Sequence, residues 1–177
     1  MLRQMLALML LVPLLAAAVP AFGGTPASSG TAAATVAWRG WNDGLAAAAG
    51  GSKPVIVDVY TDWCGWCKRM DRDVYSRAEV SDYLNQHFVM VRLNAESAEH
   101  VSYGGHTMTA RALAGGFQVT GYPTMIFLKP DGTHMVNVPG YVPADKFMKL
   151  VRFIGDGHMD KGESWEEYSR ASGAGPK

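Results

Sequence analysis

Two short apolar runs stand out along the chain. Residues 55–60, VIVDVY, and residues 88–94, FVMVRLN, are rich in β-branched residues and nearly continuous in apolar character. Such runs suit strands buried on both faces, not half-exposed ones. One acid, Asp58, interrupts the first run. The stretch between them has helical spacing. A helix is expected from about Gly65, with Met70 and Val74 one turn apart and facing inward. A second follows, with Ser76 and Glu79 as a candidate capping box and Val80, Tyr83 and Leu84 as the apolar stripe. Ahead of the first strand, residues 41–49 read as a short helix that Asn42 or Asp43 could cap and Gly50-Gly51 would end.

The pattern then loses its period. AESAEHVSYGGHTMT is polar and glycine-containing, which predicts a loop of about a dozen residues, a length often tied to function. A short helix after Thr109 is expected to close at Gly115-Gly116. Residues 125–128 and 133–138 form a predicted hairpin around the turn Pro130-Asp131-Gly132. VPADKFMKLVRFIG is amphipathic, with Pro143 in the first turn, Phe147, Leu150, Val151 and Ile154 on one stripe, and Gly155 at its end. The tail, residues 156–177, holds one marginal helix around 163–170 and then a disordered end. A parallel start joined to an antiparallel hairpin predicts an α/β fold, a central mixed sheet with helices on both faces.

Composition adds bounds. The 177 residues are 48% hydrophobic and 18% charged, with formal net charge zero. That is one globular domain plus appendages, with no bulk charge to attract nucleic acid. The N-terminus has a different character. MLRQM carries one positive charge, and residues 6–19 are a fourteen-residue apolar run interrupted by Pro13. Val19 and Ala21 sit where a signal peptidase reads, and AFG offers a second site ending at Gly23. The run falls short of the ~20 residues a membrane span needs. Residues 1–23 are therefore expected to be a cleaved secretory signal, leaving no stable membrane insertion. Residues 24–35 read as a flexible spacer, residues 36–155 as the folded domain, and the mature protein as periplasmic or secreted. In a bacterial cell that compartment is oxidising, so disulfides persist there.

Both cysteines of the chain, Cys64 and Cys67, lie in TDWCGWCK. A structural zinc site needs four ligands, and the five histidines fit poorly, although His100 and His106 have a permitted spacing. A structural staple over so small a loop removes little chain entropy. The redox reading has physical support, because the pair follows a buried strand and opens a helix whose N-terminus favours a thiolate. Cys64 would then be the exposed nucleophile and Cys67 the shielded resolving thiol. Lys68 and Arg69 add positive charge nearby.

On these residues the chain resembles the thioredoxin family over residues 55–154. VDVYTDWCGWCK is similar to the family's active-site stretch, with Trp66 where thioredoxins usually have proline. GYPT, residues 121–124, is similar to the loop carrying the family's cis-proline, which makes Pro123 that residue. The resemblance implies that Asp58 is a buried proton relay to the resolving cysteine, and that Arg92 takes the place of the lysine paired with it. Trp63 is expected to pack under the site and, with Gly65, Trp66, Tyr122 and Pro123, to border the partner surface; Lys68 and Arg92 support it. Within the family the stretch looks closest to periplasmic reductants such as the C-terminal domain of DsbD and the thioredoxins of sulfur-oxidation systems.

The implied function is an exported thiol–disulfide oxidoreductase that reduces disulfides of exported partner proteins. Its electrons would come from a membrane donor, with no metal, cofactor or nucleic acid. The absence of a histidine inside the pair favours a reductant. A disulfide oxidant or isomerase, or a redox-idle peptide-binding module, is the alternative. Residues 96–109 are expected at the same sheet edge as Cys64, in contact with partners.

Overall fold

The computed structural model describes residues 35–173, which lie within one compact unit. The expected signal peptide, the expected spacer up to residue 34 and residues 174–177 lie outside the described residues.

Helix α1, Trp41–Ala48, precedes β1, Val55–Tyr60. Then come α2, Gly65–Met70, a π-helical turn, Asp71–Tyr75, and α3, Ala78–His87. Next are β2, Val89–Asn94, β3, His100–Tyr103, β4, His106–Thr109, and α4, Ala110–Gly116. The chain closes with β5, Thr124–Leu128, β6, His134–Pro139, α5, Ala144–Gly155, and α6, Trp165–Ala171. The main sheet has the order β2-β1-β5-β6, with β1 parallel to β2 and the other pairs antiparallel. A single bridge from Arg39 to Val91 covers part of the outer edge of β2.

The strand period of two sorts β1 onto two cores. Val55, Val57 and Val59 face α1, α4 and the β3–β4 hairpin together with Trp41, Leu113 and Ile126. Ile56 faces α3 and α5 with Met70, Leu84, Phe127 and Phe147. Both faces are covered, which is why β1 reads as an unbroken apolar run. Fully burying each such side chain stabilises the fold by roughly 1.5–3 kcal/mol. Asp58 shares the parity of Ile56, so the alternation directs it to the face on which α2 and the π-helical turn pack.

Several expectations are corrected. Residues 100–109 are not a loop but a β-hairpin closed by Gly104-Gly105, both at positive φ (59° and 80°). Its strands are mostly exposed and of four residues each, with Val101 buried, so they carry almost no apolar period. The Ser76–Glu79 capping box does not form. Ser76 keeps helical dihedrals after the π-helical turn, its hydroxyl donates to the Arg72 carbonyl, and Arg77 caps α3 without a side-chain bond. Asn42 caps nothing; it binds both backbone groups of β3, accepting from Ser102 N–H and donating to His100 C=O. Pro143 is the N-cap of α5, one position earlier than predicted. Gln118, at φ 58°, takes the left-handed position expected of a glycine after α4. The tail helix does form, as α6, with a complete Ser164–Glu167 capping box.

Gly44 lies buried where α1 crosses β2, and a Cβ there would fall inside the Val91 side chain. Gly44→Ala should therefore destabilise the fold by about 1–3 kcal/mol through overpacking, despite alanine's better helix propensity. The midpoint of urea unfolding measures it; an unchanged or higher midpoint contradicts the close α1–β2 packing.

Candidate functional site

Strand β1 ends at Tyr60, and four residues later Cys64 caps α2. Its Sγ accepts the N–H of Cys67 at 3.0 Å. The two residues form a disulfide with Cα atoms 5.3 Å apart, a normal separation for the bond. Lys68 and Arg69 lie on the exposed side of the helix.

Asp58, 2% exposed, sits in β1 on the α2 face. Parallel register places it opposite Arg92 of β2. Arg92 Nε approaches Asp58 Oδ2 to 3.5 Å, without hydrogen-bond alignment. The Arg92 guanidinium instead donates through Nη2 to Asp71 and lies over the rings of Trp38 and Tyr60. Tyr75 O–H donates weakly to Asp58 Oδ1 at 3.5 Å. Desolvation pushes the Asp58 carboxyl up to about 7; Arg92 opposes that rise, Asp71 adds to it and the Tyr75 bond opposes it. Burial also pushes the Tyr75 phenol well above its ordinary value.

The loop before β5 completes the site. The Tyr122–Pro123 peptide bond is cis. Pro123 C=O accepts from Gly140 N–H, which joins this loop to the end of β6. A family model described as a thioredoxin-like domain matches residues 41–155. The chain belongs to the thioredoxin-like family. It is similar to the thiol:disulfide interchange protein DsbD of Neisseria meningitidis, 30% identical over 98 residues, 55% of this chain and 15% of that protein. The chain thus spans a small part of the curated relatives it matches. A thioredoxin-fold protein from Helicobacter pylori shares the fold, with a TM-score of 0.59, 24% identity, and coverage of 70% of this chain and 81% of that one. A thioredoxin from Thermus thermophilus aligns with a TM-score of 0.58 and 25% identity, covering 73% and 94%. The chain is a thioredoxin-like oxidoreductase whose Cys-x-x-Cys pair stands at disulfide distance.

The thioredoxin-like frame brings Asp58, Cys64, Cys67 and Arg92 to one end of β1 and β2. Three sequence expectations about this end need correction. Cys64 is not the exposed member of the pair: the two are 3% and 6% exposed. The disulfide folds Cys64 Sγ back over the first turn of α2, onto the Cys67 N–H. Trp63 does not pack underneath. It is 65% exposed, touches Tyr122 edge-on at 5.9 Å, and donates its indole N–H to Glu96. Finally, the 96–109 segment does not gather at the site as a whole. Glu96 does, but the hairpin runs along α1, and Tyr103 O–H reaches Gly132 C=O in the β5–β6 turn at the opposite end of the sheet.

Trp66 is 54% exposed and packs against Tyr141 at 5.6 Å. Arg69 lies over both rings, at 5.2 and 5.3 Å, and pairs with Asp73. Lys68 makes no ion pair among the described residues. Tyr141, Asp71 and Tyr75 are site neighbours that sequence reasoning missed, whereas Glu96 stands at the sheet edge expected of it, just after β2. Among the described residues no group of three or more His, Cys, Asp and Glu side chains is placed to hold a metal.

The Asp58 shift has a defined sign. The unfolded carboxyl releases its proton near 3.8, the folded one near 7. Between these values the native state holds more protons, so stability falls as pH rises. The oxidised protein should lose roughly 2–4 kcal/mol between pH 5 and pH 8.5 from this group. Asp58→Asn should remove that slope and be the more stable protein above pH 7. Urea midpoints at the two pH values test it; an equal slope in the variant contradicts the assignment.

Proposed function

We propose that the protein is an exported reductant of protein disulfides, with Cys64 as nucleophile, Cys67 as resolving thiol and Asp58 as proton relay. The observation that carries it is the Cys64–Cys67 disulfide on the first turn of α2, at the end of the strand that buries Asp58.

In the dithiol form, the Cys64 thiolate attacks one sulfur of the partner's disulfide and expels the other as a thiolate. A mixed disulfide remains on Cys64. The Cys67 thiol passes its proton to the Asp58 carboxylate, and its sulfur attacks Cys64 Sγ. The Cys64–Cys67 bond forms, the partner's second sulfur leaves, and the two partner sulfurs take up two protons. Two electrons have moved from protein to partner. A base with a pKa near neutrality is suited to that proton, and Asp58 lies near 7.

A reductant needs a stable disulfide and a thiolate that is not strongly favoured. The Cys67 N–H is the one hydrogen bond to Cys64 Sγ among the described residues, and Arg69 is engaged with Asp73. Trp63, Gly65, Trp66, Tyr122 and Pro123 border the place where a partner chain would lie, with Lys68 at its margin and Arg92 holding Asp58. The partners are exported proteins with disulfides, and a membrane protein supplies the electrons. The apolar N-terminal run supports export, as does the similarity to an interchange protein. Among the described residues no helix is long and apolar enough to cross a membrane.

Cys64→Ser should bring insulin reduction in the presence of a thiol reductant down to background. Cys67→Ala should accumulate covalent adducts with disulfide proteins, seen as reductant-sensitive bands on gels. Full activity of Cys64→Ser would end the redox reading, and no adducts with Cys67→Ala would favour a redox-idle binding module.

A further inference from the structure

Residues 156–173 lie beyond the part the family model matches, yet they fold. Helix α6 and the turns before it pack on Phe153 of α5 through His158, Trp165 and Tyr168. This addition walls a cleft of about 570 Å³ between β6 and α5. Val136 and Val138 of β6, Val142, Leu150 of α5, Met159 and Trp165 line it. The cleft is within the size range of a binding site, and its lining is overwhelmingly apolar.

Two charged groups reach the cleft, Lys146 and Glu163. Glu163 is engaged, at 2.7 Å from His158 Nδ1. Lys146 is exposed and has no ion-pair partner among the described residues. The cleft therefore offers apolar walls and one free cation.

Its position ties it to the disulfide. Gly140 is bonded to Pro123, Tyr141 packs against Trp66, and the next residue, Val142, lines the cleft. Arg69 holds the Trp66–Tyr141 wall from the side. An apolar track thus runs from Trp66, next to Cys67, through Tyr141 and Val142 into the cleft. The cleft lies on the side-chain face between β6 and α5 rather than along the backbone edge of β6. An occupant is held through side chains.

We propose that this cleft docks the flank of a disulfide partner: an extended protein segment beside its cysteine, with bulky apolar side chains and one acidic residue for Lys146. The proposal rests on the reading above that Cys64 exchanges disulfides with proteins. It makes Trp165 and Lys146 specificity-determining residues remote from the chemistry.

The test follows single-turnover reduction by the dithiol protein of three probes. They are glutathione disulfide and two short peptides with a glutathionylated cysteine, one flanked by Leu, Val and a single Glu, the other by Ser at those positions. Wild-type protein should reduce the apolar peptide about tenfold faster than the Ser peptide at limiting concentration, the surplus of apolar burial over ordering. Trp165→Ala and the surface change Lys146→Glu should each shrink that ratio severalfold and leave the rate on glutathione disulfide unchanged. Equal rates on the two peptides in the wild type overturn the proposal, as does a ratio that neither variant alters. A dimer in sedimentation that Trp165→Ala dissolves assigns the cleft to a second copy and also overturns it. Failure on all three probes sinks the redox reading itself.

Discussion

A carboxyl group in the middle of a fully covered strand is costly to bury unless its charge is compensated or its proton retained. Asp58 imposes that condition on everything around it. Its one cation, Arg92, has to come from the neighbouring strand in register, and its one hydroxyl, Tyr75, from the π-helical turn after α2. A one-residue slip of β1 would move Asp58 among the valines of the other core. The pairing of β1 with β2, the path out of α2 and the packing of Tyr75 on Phe147 are therefore fixed together. Arg92 is shared with Asp71, which leaves Asp58 incompletely compensated and its proton held to near neutrality.

The cysteine couple lies beyond the end of the same strand. Alternation sends Asp58 to the α2 face, and Cys64 caps α2. In the proposed mechanism, a carboxyl that gains or loses its proton near pH 7 serves the buried Cys67 thiol without a permanent charge in the core. In the disulfide, Cys64 Sγ accepts one backbone N–H, and the nearby Arg69 is occupied by Asp73 and two aromatic rings. The exposed surface near the pair is aromatic. Trp63 with Tyr122 and Trp66 with Tyr141 offer apolar area at low conformational cost, the kind of surface partners bind.

The sheet and the chemistry were largely legible in the sequence because both are written in short local patterns. β1 emerged with its observed bounds, since continuous burial leaves a continuous apolar run. The cysteine pair stood out by its spacing, and Asp58 and Arg92 were placed by the resemblance of the stretches around them to thioredoxins. What escaped depended on contacts distant in sequence. The β3–β4 hairpin buries too little to show a period and is held by Trp41 and Asn42, some sixty residues away. The placement of Trp63 depends on Glu96, and the ordering of Trp66 on Tyr141. The capping box at Ser76 was a sound local pattern that lost to a π-helical turn, which kept the serine inside the preceding helix. The tail helix was marginal by propensity and forms on the aromatic side chains of its neighbour.

The claim that this couple runs as a reductant is tested most directly by its reduction potential. The protein is equilibrated at pH 7 in glutathione buffers of graded ratio, and the free thiols of Cys64 and Cys67 are counted by alkylation. For a reductant the potential should be about −200 mV or lower. A value near −120 mV marks a strongly stabilised thiolate and an oxidant, and would contradict the account.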